Sequence, residues 1–317
     1  MSAFFRRIAV LLAAALLVAA FAACGQRNPP ARGESSSSSS PSSSQEESSS
    51  SQEEEPPQEE EEPSSSEASS DDAAQVFTSD YAQLAGLDTT RYDWGPGGPV
   101  DEQNRSQGAL AYNEQFGKYN AVFVDEESED IYLTFDMGYE NGYTPAILDT
   151  LKEKGVKGVF FLTGHYVESQ PELVQRMIDE GHVLGNHSWD HPENINELPL
   201  EEVESSIMTL HEYVKENFDY TMRLWRCPAG VFTEQQLALA QQLGYRSVFW
   251  SFAYRDWLVD DQPDPAEALD TMLTKAHPGA IYLIHAVSQT NSQILGQVID
   301  GLEEQGFAIA DPNDLIQ

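Results

Sequence analysis

The sequence contains few cysteines and few basic residues. Only Cys24 and Cys227 are present among its 317 residues, which excludes a framework of several disulfide bonds. Lysine and arginine number 17, against 53 aspartate and glutamate residues. Nucleic-acid binding depends on clustered basic side chains that displace counterions, so this balance argues against a nucleic-acid partner. The sequence also lacks a P-loop and any nucleotide, flavin or haem signature.

Long apolar runs are also missing, apart from one at the amino terminus. Two arginines precede an Ala/Leu-rich stretch over residues 8–23, which is shorter than the roughly 20 apolar residues of a membrane-spanning helix. The pattern is typical of a secretory signal peptide over residues 1–23, although an uncleaved anchor would look similar. Residues 22–25, Ala-Ala-Cys-Gly, are similar to a bacterial lipobox, which implies lipidation of Cys24. We therefore expect an extracytoplasmic protein on the outer face of the cell membrane, which it contacts only through its lipid.

Residues 24–75 contain almost no apolar side chains and are rich in Ser, Glu, Gln and Pro. Such a segment cannot bury enough surface to offset its loss of conformational entropy on ordering. We predict that the lipidated cysteine is followed by a disordered tether with no catalytic role. Residues 76–317 retain 40 acidic and 13 basic residues, which we interpret as a solvated acidic surface.

Residues 130–317 alternate between short β-branched or aromatic runs and amphipathic segments, the pattern of repeated βα units. The predicted strands are 131–135, 158–162, 182–185, 223–225, 247–250, 280–284 and 307–310. They predict an α/β catalytic domain of parallel strands, forming a distorted or incomplete (β/α)7–8 barrel. Residues 76–129 contain turn-forming glycine and proline at 95–99 and show no clear helical period. We expect them to form an irregular extension that packs on the barrel.

Polar and ionisable residues follow the predicted strands directly. They are Asp136, Asn186, His187, Arg226, Asp256, Trp257 and His285. The carboxyl ends of parallel strands form one face of a barrel, where active sites are built from the βα loops. We therefore expect these sequence-distant groups to converge.

Five short motifs carry a family resemblance. They are Thr134-Phe135-Asp136, His187-Ser188-Trp189-Asp190-His191, Arg226-Cys227-Pro228-Ala229-Gly230, Asp256-Trp257 and Leu283-Ile284-His285. In this order they resemble the motifs of the polysaccharide deacetylases, carbohydrate esterase family 4, also called the NodB-homology domain. Residues 134–143 and 277–288 resemble the delta-lactam-biosynthetic branch. That branch deacetylates N-acetylmuramic acid of peptidoglycan on the way to the muramic δ-lactam of the spore cortex.

The resemblance implies an amide hydrolase that works by general acid–base catalysis. It assigns Asp136 as the base that takes a proton from water, and His285 as the acid that protonates the leaving amine. Asp256 would orient His285 or raise its pKa, and Arg226 would keep Asp136 ionised. Three of these residues also have a structural interpretation. Asp136 could cap a turn, Arg226 could form a salt bridge at the barrel rim, and His285 could be a hydrogen-bonded structural residue after an apolar strand.

His187 and His191 have the i, i+4 spacing that lets two imidazoles meet one metal ion. In the family a third ligand, a carboxylate, follows the catalytic aspartate, whereas this sequence has Met137. A thioether is a poor ligand for Zn²⁺, Mg²⁺ or Mn²⁺, so we expect weakened affinity for a divalent metal such as zinc, and dependence on metal stays open. Water, Asn186 and Asp190 are the candidates for the missing ligand.

Several aromatic residues could bind the substrate. Tyr139, Tyr143, Trp189 and Trp257 offer faces on which sugar rings stack, although buried aromatics more often belong to the core, and we place Trp257 in the cleft wall. Trp250 lies inside an apolar run and is assigned to the core.

Three alternatives stay open. Cys227 could be the nucleophile of a cysteine hydrolase, with His285 and Asp256 as its activating pair. The chain could be a glycan-binding pseudoenzyme, because the Met137 departure lies in the reaction centre. The substrate could also be N-acetylglucosamine or another wall polymer. The sequence gives no indication of the oligomeric state.

Overall fold

The computed structural model describes residues 79–316. The predictions of a signal peptide, of lipidation at Cys24 and of a tether over residues 24–75 lie outside the described residues. Within 79–316, no helix is both long and apolar enough to cross a membrane.

Within residues 79–316, ten strands form two sheets. They are β1 (Tyr92–Asp93), β2 (Ala121–Val122), β3 (Tyr132–Met137), β4 (Val159–Leu162), β5 (Val183–Asn186), β6 (Leu224–Trp225), β7 (Val231–Phe232), β8 (Arg246–Val248), β9 (Phe252–Ala253) and β10 (Ile281–His285). β1 and β7 pair antiparallel. The other eight form one sheet in the order β2-β8-β6-β5-β4-β3-β10-β9, in which neighbouring strands are parallel. This curled parallel sheet confirms the predicted α/β fold of an incomplete barrel.

Nine α-helices connect and cover the strands of the described chain. They are α1 (Tyr81–Leu84), α2 (Gln107–Phe116), α3 (Thr144–Lys154), α4 (Gly164–Ser169), α5 (Pro171–Asp179), α6 (Leu200–Phe218), α7 (Glu234–Gln242), α8 (Pro265–Thr274) and α9 (Gln289–Glu304). Local sequence explains several ends. α7 begins with a capping box between Thr233 and Gln236, and α3 is followed by the cap residue Gly155, whose φ of 68° favours glycine.

Two of the predicted strands differ from the structure. The strand expected at 307–310 is reduced to one parallel bridge between Ile131 and Ile309. The strand expected at 247–250 is divided, because β8 ends at Val248 and a second short strand, β9, begins at Phe252. The residues between them place Trp250 at the cleft rather than in a continuous ladder.

The segment before Asp130 is more regular than the sequence indicated. It supplies α2, and it supplies β2, which pairs with β8 as an edge strand of the main sheet. The helical period was missed because only Ala109 and Phe116 of α2 are fully buried, which leaves a weak apolar stripe. An aromatic cluster packs this segment on the domain, with Tyr92 stacked on Phe232 at 5.3 Å between ring centroids.

The core lies on both faces of the sheet, and the strands are buried almost throughout. Phe135 on β3 stacks on Phe160 on β4 at 4.8 Å. At Gly185 on β5, an added Cβ would lie 2.3 Å from the ring of Phe161, so only glycine leaves room for that ring. The Phe161 ring in turn lies 4.0 Å from the guanidinium carbon of Arg226. Core packing therefore reaches directly to a predicted site residue.

Candidate active site

Asp136 and His285 lie side by side at the carboxyl ends of adjacent strands. β3 and β10 pair in parallel, and in their register His285 is the direct partner of Asp136. Strands in a sheet are about 4.8 Å apart, and both residues line the same cleft. A carboxylate and an imidazole thus border one space.

Arg226 forms a buried ion pair with Asp136. Its Nη1 atom lies 2.8 Å from Asp136 Oδ1, and the guanidinium also donates to Thr134 Oγ1 and to the carbonyl oxygens of Val248 and Phe249. Burial alone would raise the pKa of Asp136, but the charge and hydrogen bond of Arg226, together with the charges of His187 and His285, outweigh burial and hold that pKa below its usual value. The carboxylate is therefore ionised at neutral pH.

Asp256 supports His285 from behind the cleft. Nδ1 of His285 donates to Asp256 Oδ1 at 2.7 Å, and the backbone N–H of His285 donates to Oδ2 at 2.8 Å. Burial alone would lower the pKa of His285, but the hydrogen bond and charge of Asp256, together with the charge of Asp136, outweigh burial and raise it. Since Asp256 occupies Nδ1, the Nε2 atom is the one available to exchange a proton with a ligand.

His187 and His191 come together on the other side of Asp136. The His187 Nδ1–H donates to the carbonyl oxygen of Arg226 at 2.9 Å, which leaves Nε2 as an acceptor 3.5 Å from Asp136 Oδ2. Burial lowers the pKa of His187 to about 4, so the ring is neutral at physiological pH. The His191 ring lies 4.7 Å from the His187 ring, centroid to centroid.

These residues do not complete a metal site. Among residues 79–316, no group of three or more His, Cys, Asp or Glu side chains could hold a metal ion. Met137 is buried and does not line the cleft. Asn186 is also buried, and its side-chain oxygen accepts from the backbone N–H of Ser188. Of the candidates for a third ligand, only Asp190 lines the cleft, so the donor set does not fit a divalent metal as it stands.

The cleft has a volume of about 1210 Å³, which suits a chain of sugar rings. Tyr139 and Trp257 are 45% and 47% exposed, and Trp189 also lines the cleft, whereas Tyr143 does not. The Trp257 ring lies 5.6 Å from the ring of His285. Trp250, assigned to the core from sequence, is buried but reaches the cleft wall.

The structure brings most of the sequence-predicted residues together. Those that line the cleft are Asp136, Tyr139, His187, Trp189, His191, Trp257 and His285. Arg226 and Asp256 are buried behind this surface and contact it through Asp136 and His285. Cys227 is 1% exposed, does not line the cleft, and has its pKa raised by burial, so the geometry does not favour a thiolate nucleophile.

Sequence reasoning missed two contributions to the site. Asn291 in the first turn of α9 donates to Asp256 Oδ2 at 2.6 Å and to the carbonyl oxygen of His285 at 3.0 Å. Trp94 and Pro96, from the segment before the barrel, line the cleft, and Trp94 Nε1 donates to the carbonyl oxygen of Trp250. The sequence signal that could have placed Asn291 near His285 is Ser288, the cap residue of α9. The side chain of Ser288 accepts a hydrogen bond from the backbone N–H of Asn291.

Comparisons with known proteins agree with this geometry. The family model described as polysaccharide deacetylase matches residues 124–248. The chain is 40% identical over 246 residues to the peptidoglycan-N-acetylmuramic acid deacetylase PdaA of Bacillus subtilis (strain 168), covering 77% of this chain and 93% of that protein.

Two solved structures share the fold. The structure of Bacillus subtilis PdaA, a family 4 carbohydrate esterase, has a TM-score of 0.68 at 39% identity, and a family 4 carbohydrate esterase from Bacillus anthracis has 0.59 at 38%. Each match covers 73% of this chain and 98% of the other. With this identity over nearly the whole of a curated relative, the chain belongs to the polysaccharide deacetylase family, carbohydrate esterase family 4, and is a hydrolase of that class.

Proposed function

We propose that the protein removes the N-acetyl group from N-acetylmuramic acid in peptidoglycan. The observation that carries the proposal is the pair formed by Asp136 and His285, which are register partners with pKa values moved in opposite directions. Such divergence is what distinguishes a base from an acid within one site. The similarity to PdaA, named for activity on N-acetylmuramic acid, supports this choice of sugar.

In the first step, Asp136 takes a proton from water while the water oxygen attacks the acetyl carbonyl carbon. Asp136 Oδ2 and His187 Nε2 face each other at 3.5 Å, and both are acceptors in the charge states described above. A water molecule between them would donate one hydrogen to each atom. That arrangement positions the nucleophile next to the base.

In the second step, His285 acts as the acid. Its raised pKa favours the protonated ring, in which Nε2 carries a proton, and transfer of that proton to the amide nitrogen allows the C–N bond to break. The products are acetic acid and the free amine. At this point Asp136 is protonated, and His285 has lost its proton from Nε2. Exchange with solvent restores both groups.

Members of this family generally use a divalent metal. The described residues supply two imidazoles but no group of three side chains that could hold a metal ion. The two steps are therefore assigned to Asp136 and His285 alone. Stabilisation of the tetrahedral oxyanion then depends on backbone N–H groups or other donors at the cleft.

The decisive measurement is acetate release from purified glycan strands freed of stem peptide, followed by mass spectrometry of the digested strands. We expect acetate loss from the muramic sugar, and Asp136→Asn should abolish it. Loss from N-acetylglucosamine would reassign the substrate. Binding without acetate release would instead indicate a glycan-binding pseudoenzyme. Parallel assays with a chelator report whether a metal contributes.

We also propose that this chemistry takes place outside the cytoplasm. The signal-peptide pattern of residues 1–23 and the lipobox-like Cys24 support an anchor at the outer face of the membrane, with residues 24–75 as the tether to the catalytic domain. Cys24→Ser should release the protein from the membrane fraction. The link to the spore cortex is supported by motif resemblance, and muropeptide analysis of spores from a deletion strain tests it.

A further inference from the structure

The cleft beside His285 carries one strongly basic side chain among acidic ones. Among the described residues that line it, Arg255 is the only lysine or arginine. The acidic residues of the lining are Asp136, Glu168, Asp190 and Glu193. A substrate anion would therefore meet mostly negative charge in this cleft. Apart from His285, whose proton is transferred to the leaving amine, Arg255 is the cation on this wall that can neutralise such an anion.

The backbone of Arg255 is fixed close to the reacting groups. The next residue is Asp256, whose buried carboxylate accepts from the backbone N–H of His285 and from Asn291. The following residue, Trp257, contacts the ring of His285. The base of the Arg255 side chain is therefore positioned by the same contacts that orient His285.

The guanidinium of Arg255 already binds a carboxylate. Its Nη2 atom pairs with Asp261 Oδ2, and the two side chains are 60% and 65% exposed. Exposed ion pairs of this kind contribute little to stability, so a second carboxylate can replace Asp261 at small cost. The planar guanidinium can hold a carboxylate through two parallel hydrogen bonds.

Peptide-free N-acetylmuramic acid presents such a carboxylate. Its acetamido group is on C2, and its lactyl ether, which ends in a free carboxylate, is on the adjacent C3. A cation that recognises this anion must therefore lie near the group that protonates the departing amine. N-acetylglucosamine has a hydroxyl group at C3 and offers no anion there.

We propose that Arg255 is a specificity-determining residue that binds the lactyl carboxylate of peptide-free N-acetylmuramic acid, and that the substrate displaces Asp261 from it. The proposal rests on the proposed function and names the group of the substrate that this site recognises. The contact does not change while the amide is cleaved, so it acts on KM rather than on kcat.

The test compares glycan strands that carry free lactyl carboxylates with the same strands converted to lactyl amides. The measured quantity is the ratio of kcat/KM on acid strands to kcat/KM on amide strands. Arg255→Gln should lower this ratio by about tenfold, through KM. Arg255→Lys should give an intermediate ratio, because lysine keeps the positive charge but lacks the planar guanidinium that forms two parallel hydrogen bonds. Asp261→Asn should raise the ratio, because it removes the competing carboxylate.

A matched control is Arg91→Gln, which removes an arginine from a similar exposed pair with Asp93 outside the cleft lining. It should keep the wild-type ratio. An unchanged ratio in an active, folded Arg255→Gln protein would overturn the assignment of Arg255. Calorimetry can measure the affinity of the wild-type protein for acid strands and for amide strands without turnover. Equal affinities for the two kinds of strand would also overturn the assignment of Arg255. Absence of acetate release with a preference for acid strands would instead count against the proposed deacetylase function alone.

Discussion

The Nη1 atom of Arg226 donates to two partners at once, Asp136 Oδ1 at 2.8 Å and Thr134 Oγ1 at 2.9 Å. Its other guanidinium nitrogens donate to the carbonyl oxygens of Val248 and Phe249. Arg226, which holds the candidate base Asp136 ionised, is thus bound by strand β3 and by the last residue of strand β8 and the residue that follows it. The charge state of Asp136 depends on this buried arrangement.

Replacement of Arg226 by methionine should therefore destabilise the protein and change its pH dependence. Breaking a buried ion pair leaves an uncompensated carboxylate and costs about 3–5 kcal/mol. The pKa of Asp136 should rise, and the acidic limb of the kcat/KM profile should move to higher pH. Denaturant unfolding and pH–rate curves measure the two effects. A profile with an unmoved acidic limb would show that Arg226 does not control Asp136.

The wild-type profile should be bell-shaped. Asp136 has a pKa below its usual 3.8 and His285 has one above its usual 6.5. Activity should therefore fall below pH 3.8 as Asp136 gains a proton, and fall above pH 6.5 as His285 loses one. The folding stability should depend on pH in the same two directions. The stabilisation from ionised Asp136 is present above pH 3.8 and is lost as the pH falls, whereas the stabilisation from protonated His285 is present below pH 6.5 and is lost as the pH rises.

Asp256→Asn should move the alkaline limb to lower pH. The substitution removes the charge that raises the pKa of His285 and keeps a side chain of similar size. The expected result is a narrower bell with reduced kcat at pH 7. An alkaline limb at the wild-type position would mean that another group titrates there.

Asn291→Ala tests a positioning role. The substitution removes the donors to Asp256 Oδ2 and to the carbonyl oxygen of His285, at a cost of about 1–3 kcal/mol for buried polar groups left without a partner. It should lower kcat more than it raises KM, and it should shift the alkaline limb. A loss of thermal stability with an unchanged pH profile would reduce Asn291 to a structural residue.

Gly185→Ala should disturb the site from the core. The added Cβ would lie 2.3 Å from the Phe161 ring, and that ring packs on the guanidinium of Arg226. We expect a loss of about 1–3 kcal/mol from overpacking and a fall in kcat. Gly117→Ala is the matched control, since its φ is −56° and nothing lies within 4 Å of the new Cβ. Comparable effects in both variants would argue against transmission through Phe161.

The sequence was sufficient to predict the parallel strands and the residues at their ends. Asp136 and His285 follow apolar, β-branched runs, and strand ends converge in any parallel barrel. It was insufficient where structure depends on distant partners. The strand predicted at 307–310 keeps only the bridge at Ile309, because intrinsic strand preference does not determine how much ladder a neighbouring strand provides.

The contribution of the segment before the barrel could not be predicted for a related reason. Two hydrogen bonds hold Trp94 at the cleft. Its indole N–H donates to the carbonyl oxygen of Trp250, and its backbone N–H donates to the carbonyl oxygen of Gly230. These partners are more than 130 residues away in sequence, and nothing local in the turn-rich residues 95–99 indicates them. Asn291 was missed similarly, since its role arises from the side chain of Asp256 across the cleft wall.

The position of β2 at the edge of the main sheet has a practical consequence. A shortened protein that starts at Asp130 would keep the pairing of β8 with β6 but would leave the other edge of β8 without a partner strand, and such open edges promote aggregation. It would also lose the wall that contains Trp94. We infer that the smallest active fragment begins before Tyr92, and that fragments designed only around the barrel motifs would be insoluble or inactive.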